Sequence, residues 1–312
     1  MTIRENSKKP PDLHIDDGRA WLRERIEVKL LHGKNIIITA PPGWGQENMA
    51  KKIAFGLTKR DKNYQVCFMN LLSITSKVSF LNLLREKALQ FTKVEKFSTM
   101  MDELLFLPEK IAKHEKFKLL ICINNFQNLA RFRESEALKK EMMLMNKKRK
   151  NCVYLLYGHK SEAMKAIFQT LYRPMIGFGR LYILQAPNLQ ELKTNISEFF
   201  FNSGKRITEE ALHLIKSKTR YHPYHAALLA TQAWWRTQFI CTEQIVRDSL
   251  EGLVAQFSYQ YQILLDQLTI KQIKFLKALL NQAHGFCSKV NLQNYDLGRS
   301  SNVSRVRTSL EK

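Results

Sequence analysis

Nothing in the 312 residues approaches the roughly 18 consecutive apolar side chains that a membrane-spanning helix requires, so a helical membrane protein is excluded. The amino terminus, MTIRENSKKPPDLHIDDGRA, carries charge but lacks the apolar core of a signal peptide, and the expectation is a cytoplasmic chain with no membrane partner. Cysteines are few. Cys67, Cys122, Cys152, Cys241 and Cys287 lie far apart, with no CxxC pair and no metal-type spacing to His, which argues against both a disulfide framework and a zinc site. Acidic residues are scarce as well: 28 Asp and Glu against 50 Lys and Arg give a formal charge of +22. Such an excess attracts polyanions, nucleic acid among them, although a solvated Lys-rich surface explains it equally well. The one basic cluster, NKKRK from Asn146 to Lys150, precedes an apolar run and reads as a wet loop.

What remains is a globular chain with 45% hydrophobic residues, enough for a full core. Short apolar runs, NIIITA (35–40), YQVCFMN (64–70), KLLICIN (118–124), CVYLLYG (152–158) and LYIL (181–184), alternate with longer segments of helical period such as SFLNLLREKALQFT and MDELLFLPEKIAK. That alternation predicts an α/β domain on a parallel sheet covered on both faces. After Pro187 only helical patterns follow, with Gly204 as a stop signal and Thr208 as a start signal. The predicted organisation is a disordered segment over 1–15, an α/β core over 16–187, a helical subdomain over 188–265, and three short helices over 266–312. The last three resemble the helical part of a winged helix whose wing would begin where the chain stops at Lys312.

The stretch NIIITAPPGWGQENMAKKIA, Asn35 to Ala54, is a strand, a Gly-Pro turn and a helix, the frame of a phosphate-binding loop. Such a loop needs small residues, a helix N-terminus, a Lys for the β and γ oxygens and a hydroxyl for Mg²⁺. Pro42, Gly43, Trp44, Gly45 and Asn48 keep the frame, but Gln46 stands at the Lys position and Glu47 at the hydroxyl position. Either the turn is now only structural, with Trp44 packing on the helical subdomain, or Glu47 ligates Mg²⁺ directly.

Four blocks, WLRERIEVKLLHGKNIIITAPPGWG, LPEKIAKHEKFKLLICINNFQNLARF, YLLYGHKSEAMKAIF and YHPYHAALLATQAWW, resemble in order and spacing the AAA+ and STAND-like P-loop ATPases found widely in Bacteroidota and archaea. The likeness runs from about Asp16 to the end. It implies a Walker A loop, a Walker B strand end, a sensor after the fourth strand and a lid motif. In the Walker B slot the chain has Asn124 and Asn125 followed by Gln127; amides accept no proton at neutral pH, so neither can serve as the base that activates water. The sensor slot holds His159 after Gly158, and the lid motif retains His222 and Pro223, which leaves adenine stacking open. In YRPMIGFGRL the family's Arg position is Gly177, with Arg173 and Arg180 flanking it.

Loss of Lys, hydroxyl, Asp, Glu and Arg together implies an ATPase homologue with a decayed site, non-hydrolysing, acting as a scaffold for a protein partner. ATP or ADP binding would be at most weak, and Mg²⁺ would enter only with nucleotide. The alternatives are a functional ATPase or nucleotide switch, and a nucleic-acid binder using Arg305 and Arg307 on the last helix.

Overall fold

The computed structural model describes residues 19–94, 101–159, 161–169, 175–185, 189–220, 222–281 and 285–310. The segment 1–15, Arg173 and Tyr221 fall outside them. Two compact units are formed, Met1–Val246 and Arg247–Lys312.

The first unit is built on five parallel strands, β1 (Ile36–Thr39), β2 (Tyr64–Asn70), β3 (Lys118–Asn124), β4 (Cys152–Gly158) and β5 (Arg180–Ile183), in the order β2-β3-β4-β1-β5. The apolar runs become strands because successive side chains alternate between two covered faces. Ile36, Ile38, Leu120, Cys122, Val153 and Leu155 point to one face, where they meet Ile26 and Leu30 of α1 (Ala20–Leu31) and Ile53 and Leu57 of α2 (Gln46–Arg60). Ile37, Ile121, Ile123, Tyr154 and Leu156 point to the other. They are covered there by α3 (Lys77–Leu89), α4 (Leu107–His114), α5 (Ser135–Lys148) and α6 (Ser161–Phe168). Each fully buried Leu or Ile contributes about 1.5–3 kcal/mol of transfer free energy. Burial fixes the inner strands: β4 is buried throughout, whereas edge strand β2 alternates.

Burial also silences the thiols in this sheet. It pushes Cys67 up to about 11 and Cys122 and Cys152 well above the ordinary thiol range, consistent with inert filler.

The basic cluster before β4 is not simply a wet loop. The Glu109 carboxylate accepts from the backbone N–H groups of Lys150, Asn151 and Cys152 at 2.8–3.0 Å and from Asn151 Nδ2 at 2.8 Å. Arg149 donates to the carbonyls of Cys152 and Gly33 and, through Nε, to Asn146 Oδ1.

Beyond the sheet come α7 (Leu189–Asn202), α8 (Glu209–Lys218) and α9 (Pro223–Arg236). Thr208 caps α8 by accepting from Ala211 N, and Gly204 takes φ +78° after α7, as the two signals predict. The expectation of helices alone is corrected at one place: β6 (Arg206–Ile207) and β7 (Ile240–Cys241) pair in parallel, because Arg206 N reaches the Phe239 carbonyl at 2.8 Å. Lys205 sits over the Trp234 ring at 3.8 Å and donates to the carbonyls of Trp234 and Thr237, tying the ends of α7 and α9 together.

The second unit contains most of α10 (Glu243–Asp266), then α11 (Ile270–Leu280), α12 (Lys289–Asn294) and α13 (Ser300–Leu310). Phe275, Ala278, Leu297 and Val303 form its small core, and Thr269 with Gln272 makes a capping box at the start of α11. Among the described residues no helix is long and apolar enough to cross a membrane.

Candidate functional site

The parallel order places the ends of β1, β3 and β4 side by side at the carboxyl edge of the sheet, the edge at which open α/β sheets bind ligands. The loop after β1 is held in a specific shape. Gly43 and Gly45 take φ +74° and +84°, values that L side chains rarely adopt, and Gly45 opens α2. The loop carbonyls are engaged by neighbours: Pro41 accepts from Trp44 N, Pro42 from His222 Nε2 at 3.1 Å, Trp44 from Arg19 Nη1 at 3.0 Å, and Gly45 from Met49 N. Trp44 packs on the cluster formed by α1, α2 and the sheet.

His222, expected to face a base, lies over the loop. A Cβ built on Gly43 would stand 2.6 Å from His222 Cε1. Donating Nε2–H to Pro42 leaves Nδ1 as the acceptor, and Nδ1 has no partner among the described residues. His225 stacks 4.5 Å away; burial, and then the neighbouring His222, hold its pKa below the ordinary imidazole value. Gly43→Ala should therefore lower unfolding free energy by about 2 kcal/mol, adding a left-handed-backbone penalty of about 1–2 kcal/mol to the His222 clash. A urea unfolding curve unchanged from that of the natural chain would contradict this packing.

Glu47 meets the end of β3. Its Oε1 pairs with Lys51 Nζ at 2.8 Å, and its Oε2 accepts from Asn124 Nδ2 at 3.4 Å. The phosphate-loop and Walker B positions are thus brought together, as the sequence order implies. A string of amides then crosses the sheet edge. Leu72 N and Asn125 Nδ2 both donate to Asn70 Oδ1 at 2.9 Å, Gln127 Nε2 donates to Asn125 Oδ1 at 3.2 Å, and the same Nε2 lies 3.3 Å from His159 Nδ1. The orientation of each amide follows from its neighbour. The Leu72 N–H fixes Asn70 Oδ1 as an acceptor, which turns the Asn125 amide group toward it and leaves Asn125 Oδ1 for Gln127. His159 Nδ1 is then an acceptor and carries no proton. Gln127 Oε1 has no partner among the described residues and abuts Gly158, where an added Cβ would collide with it.

A cavity of about 470 Å³ adjoins the loop, lined by Gly43 to Met49, Lys52, Pro223, Tyr224 and Ala227. Lys52, Arg19, Asn70 and Tyr224 escape the sequence reading. Lys52 is one more Lys on a Lys-rich helix, and the reach of Arg19 to Trp44 and Gln185 spans 25 and 166 positions. Arg180 stacks on Tyr182 at 5.7 Å, and Gly177 takes φ +78°. Pro223 begins α9, and Arg305 and Arg307 lie on α13 in the second unit.

No protein-family model and no curated protein matches the chain. Solved structures do. The ORC2 protein of Aeropyrum pernix, in ADPNP–ADP complexes, superposes with a TM-score of 0.70 at 15% identity, covering 98% of this chain and 88% of that one. The Walker-type ATPase PABY2304 of Pyrococcus abyssi gives 0.70 at 9% identity over 94% and 88%. The ORC1 protein of A. pernix in complex with DNA gives 0.60 at 12% over 96% and 85%. With these likenesses and its five-stranded parallel sheet, the chain has the α/β fold of the AAA+ P-loop ATPases.

Proposed function

We propose that this chain is a non-hydrolysing relative of the AAA+ ATPases, a protein-interaction scaffold that binds ATP or ADP weakly at most. The observation that carries this reading is the uncharged amide string Asn70–Asn125–Gln127–His159 at the edge where hydrolysis needs a carboxylate base. The donor set also fits Mg²⁺–triphosphate poorly. Glu47 is already bridged to Lys51 and Asn124, the Asn124 Oδ1 is taken by the backbone N–H of Asn125 at 2.8 Å, and the His222 ring crowds the Gly43 face. Magnesium wants several oxygens in near-octahedral geometry, and one shared carboxylate does not supply them. No catalytic step is therefore assigned to the site. The cavity beside Trp44, Tyr224 and Lys52 has room for a planar base with modest charge, which accounts for the weak binding allowed here.

Calorimetric titration tests this reading. ATP should bind the natural chain no more tightly than about millimolar, and Mg²⁺ should not improve it. Micromolar affinity that depends on Mg²⁺ would overturn it.

A second reading follows from the exposed face of α13, where Arg305 and Arg307 stand with Ser304 and Thr308, together with the DNA complex of the structurally similar ORC1 protein. We propose this helix, in a winged-helix-like module, as a phosphate-contacting element. Replacing both arginines by Ala should weaken duplex DNA binding and reduce the slope of log affinity against log salt by about 2. An unchanged slope would remove α13 from the contact.

A further inference from the structure

The second half of α10 is an apolar helix with no covered side. Every residue from 258 to 267 is exposed, and Tyr259, Tyr261, Ile263, Leu264 and Leu265 are 75%, 52%, 42%, 58% and 43% exposed. Short helices are marginal in water unless an apolar face is covered. Residues 248–270 also contain no Lys or Arg, the longest such interval in a chain carrying 50.

One line of side chains organises this surface. Val254, Phe257, Tyr261 and Leu264 recur at spacings of three, four and three, which places them along one side of α10, with Leu250 one step earlier on the same line. Val254 is 55% exposed. Charge keeps clear of the row. Asp248 and Asp266 fall on the opposite side of the helix, where Asp266 accepts from Gln262 Nε2 at 2.7 Å, and Glu251 stands about 100° from the row.

We propose that this row pairs with the same row in a second copy of the chain, antiparallel about a two-fold axis near Tyr259. Phe257 then meets the partner's Tyr261 and Val254 meets the partner's Leu264, aromatic against aromatic and aliphatic against aliphatic. Charge and area argue for this occupant. A chain of formal charge +22 repels its own copies wherever cations face each other, and here two copies touch with no charged side chain in the seam. Direction follows from the same charge. Residues 247–312 hold 9 basic and 5 acidic residues, a formal +4, so +18 lies in residues 1–246. The chain enters α10 from the first unit and leaves it into α11, so a parallel pair sets +18 beside +18, whereas an antiparallel pair sets +18 beside +4 at each end. The paired stretch, residues 250–266, is about 25 Å long and buries on the order of 1,000 Å² in total, the lower bound for specific association, so the dimer should form at micromolar concentrations. The contact is isologous, which closes the pair and leaves no face for a third copy. A second copy becomes one protein partner of the proposed scaffold, and its biological meaning rests on that reading. The two fail separately, because association is measured without nucleotide.

Sedimentation velocity of the full chain over a concentration series tests the pairing, and cross-linking tests its direction. The natural chain should pass from monomer to dimer and stop there. Tyr261→Glu combined with Leu264→Glu, both at exposed positions, should weaken the dimer at least about tenfold. For cross-linking, Cys287→Ser removes the one exposed thiol, and Val254→Cys and Leu264→Cys are each placed in that background. Mild oxidation should link an equimolar mixture of the two into a dimer. Neither alone should link, because in an antiparallel pair the two copies of either position stand about 15 Å apart, beyond the reach of a disulfide. A natural chain that stays monomeric at about 100 μM would overturn the proposal, as would growth into larger species. So would a glutamate variant that dimerises like the natural chain, a mixture that does not link, or a single variant that links to itself.

Discussion

Gln46→Lys combined with Glu47→Thr is expected to tighten ATP binding by at least about a hundredfold. A charge-assisted contact from the restored ammonium to phosphate is worth about 1.5–3 kcal/mol. Removing the carboxylate relieves a like-charge interaction of about 4 kcal/mol at 4 Å and an effective dielectric of 20. Glu47 is half exposed and paired with Lys51, so that second figure must be cut by more than half. About 1.5–3 kcal/mol from the ammonium together with about 1–2 kcal/mol from the carboxylate gives about 2.5–5 kcal/mol, which brackets the roughly 2.7 kcal/mol that two decades of affinity require. The Glu47→Thr change also frees Lys51 and Asn124 Nδ2 to face the ligand. Each single variant should recover only part of the gain, and Mg²⁺ should help only the variants in which the Glu47→Thr change supplies a hydroxyl. Titration calorimetry on the four proteins decides: equal affinity in the natural chain and the double variant would show that the loop never lost its grip on phosphate.

Glu109→Ala should cost about 3 kcal/mol of stability, because the carboxylate holds the backbone N–H groups of Lys150, Asn151 and Cys152 and the Asn151 amide at once. Cys152 opens the fully buried strand β4, and Glu109 Oε2 accepts from its N–H at 2.9 Å. On the scale for chains of this size the melting temperature should fall by roughly 6–12 °C. Glu109→Gln keeps one acceptor oxygen and should lose about half as much. Two variants that melt within about a degree of the natural chain would show that the loop satisfies itself.

The sheet was legible in the sequence because its signal is local. NIIITA, KLLICIN and CVYLLYG are near-continuous apolar runs buried on both faces, as inner parallel strands require, and YQVCFMN alternates as an edge strand does. Two helix ends were legible for the same reason: Thr208 accepts a bond within the first turn of α8, and Gly204 takes a positive φ just after α7. The candidate site was legible only as a list of positions. That Asn124 approaches Glu47 follows from motif order, but the string through Asn70 depends on strand register, since Asn70 lies opposite Asn124 only once β2 and β3 pair. Arg19, the placing of His222 over Gly43 and the bracing of the NKKRK loop by Glu109 join residues far apart in the chain, and no periodic pattern marks them. The pairing of β6 with β7 was missed because two residues are too few to show a strand period.

Steady-state release of inorganic phosphate from ATP with Mg²⁺ by the purified full chain separates a non-hydrolysing scaffold from an ATPase most directly. A chain whose sheet edge carries Asn124, Asn125 and Gln127 in place of a carboxylate base should release phosphate at the rate of the buffer alone. Sustained release that disappears in Glu47→Gln would mean that the carboxylate on α2 does the work missing from β3, and the proposed function would have to be abandoned.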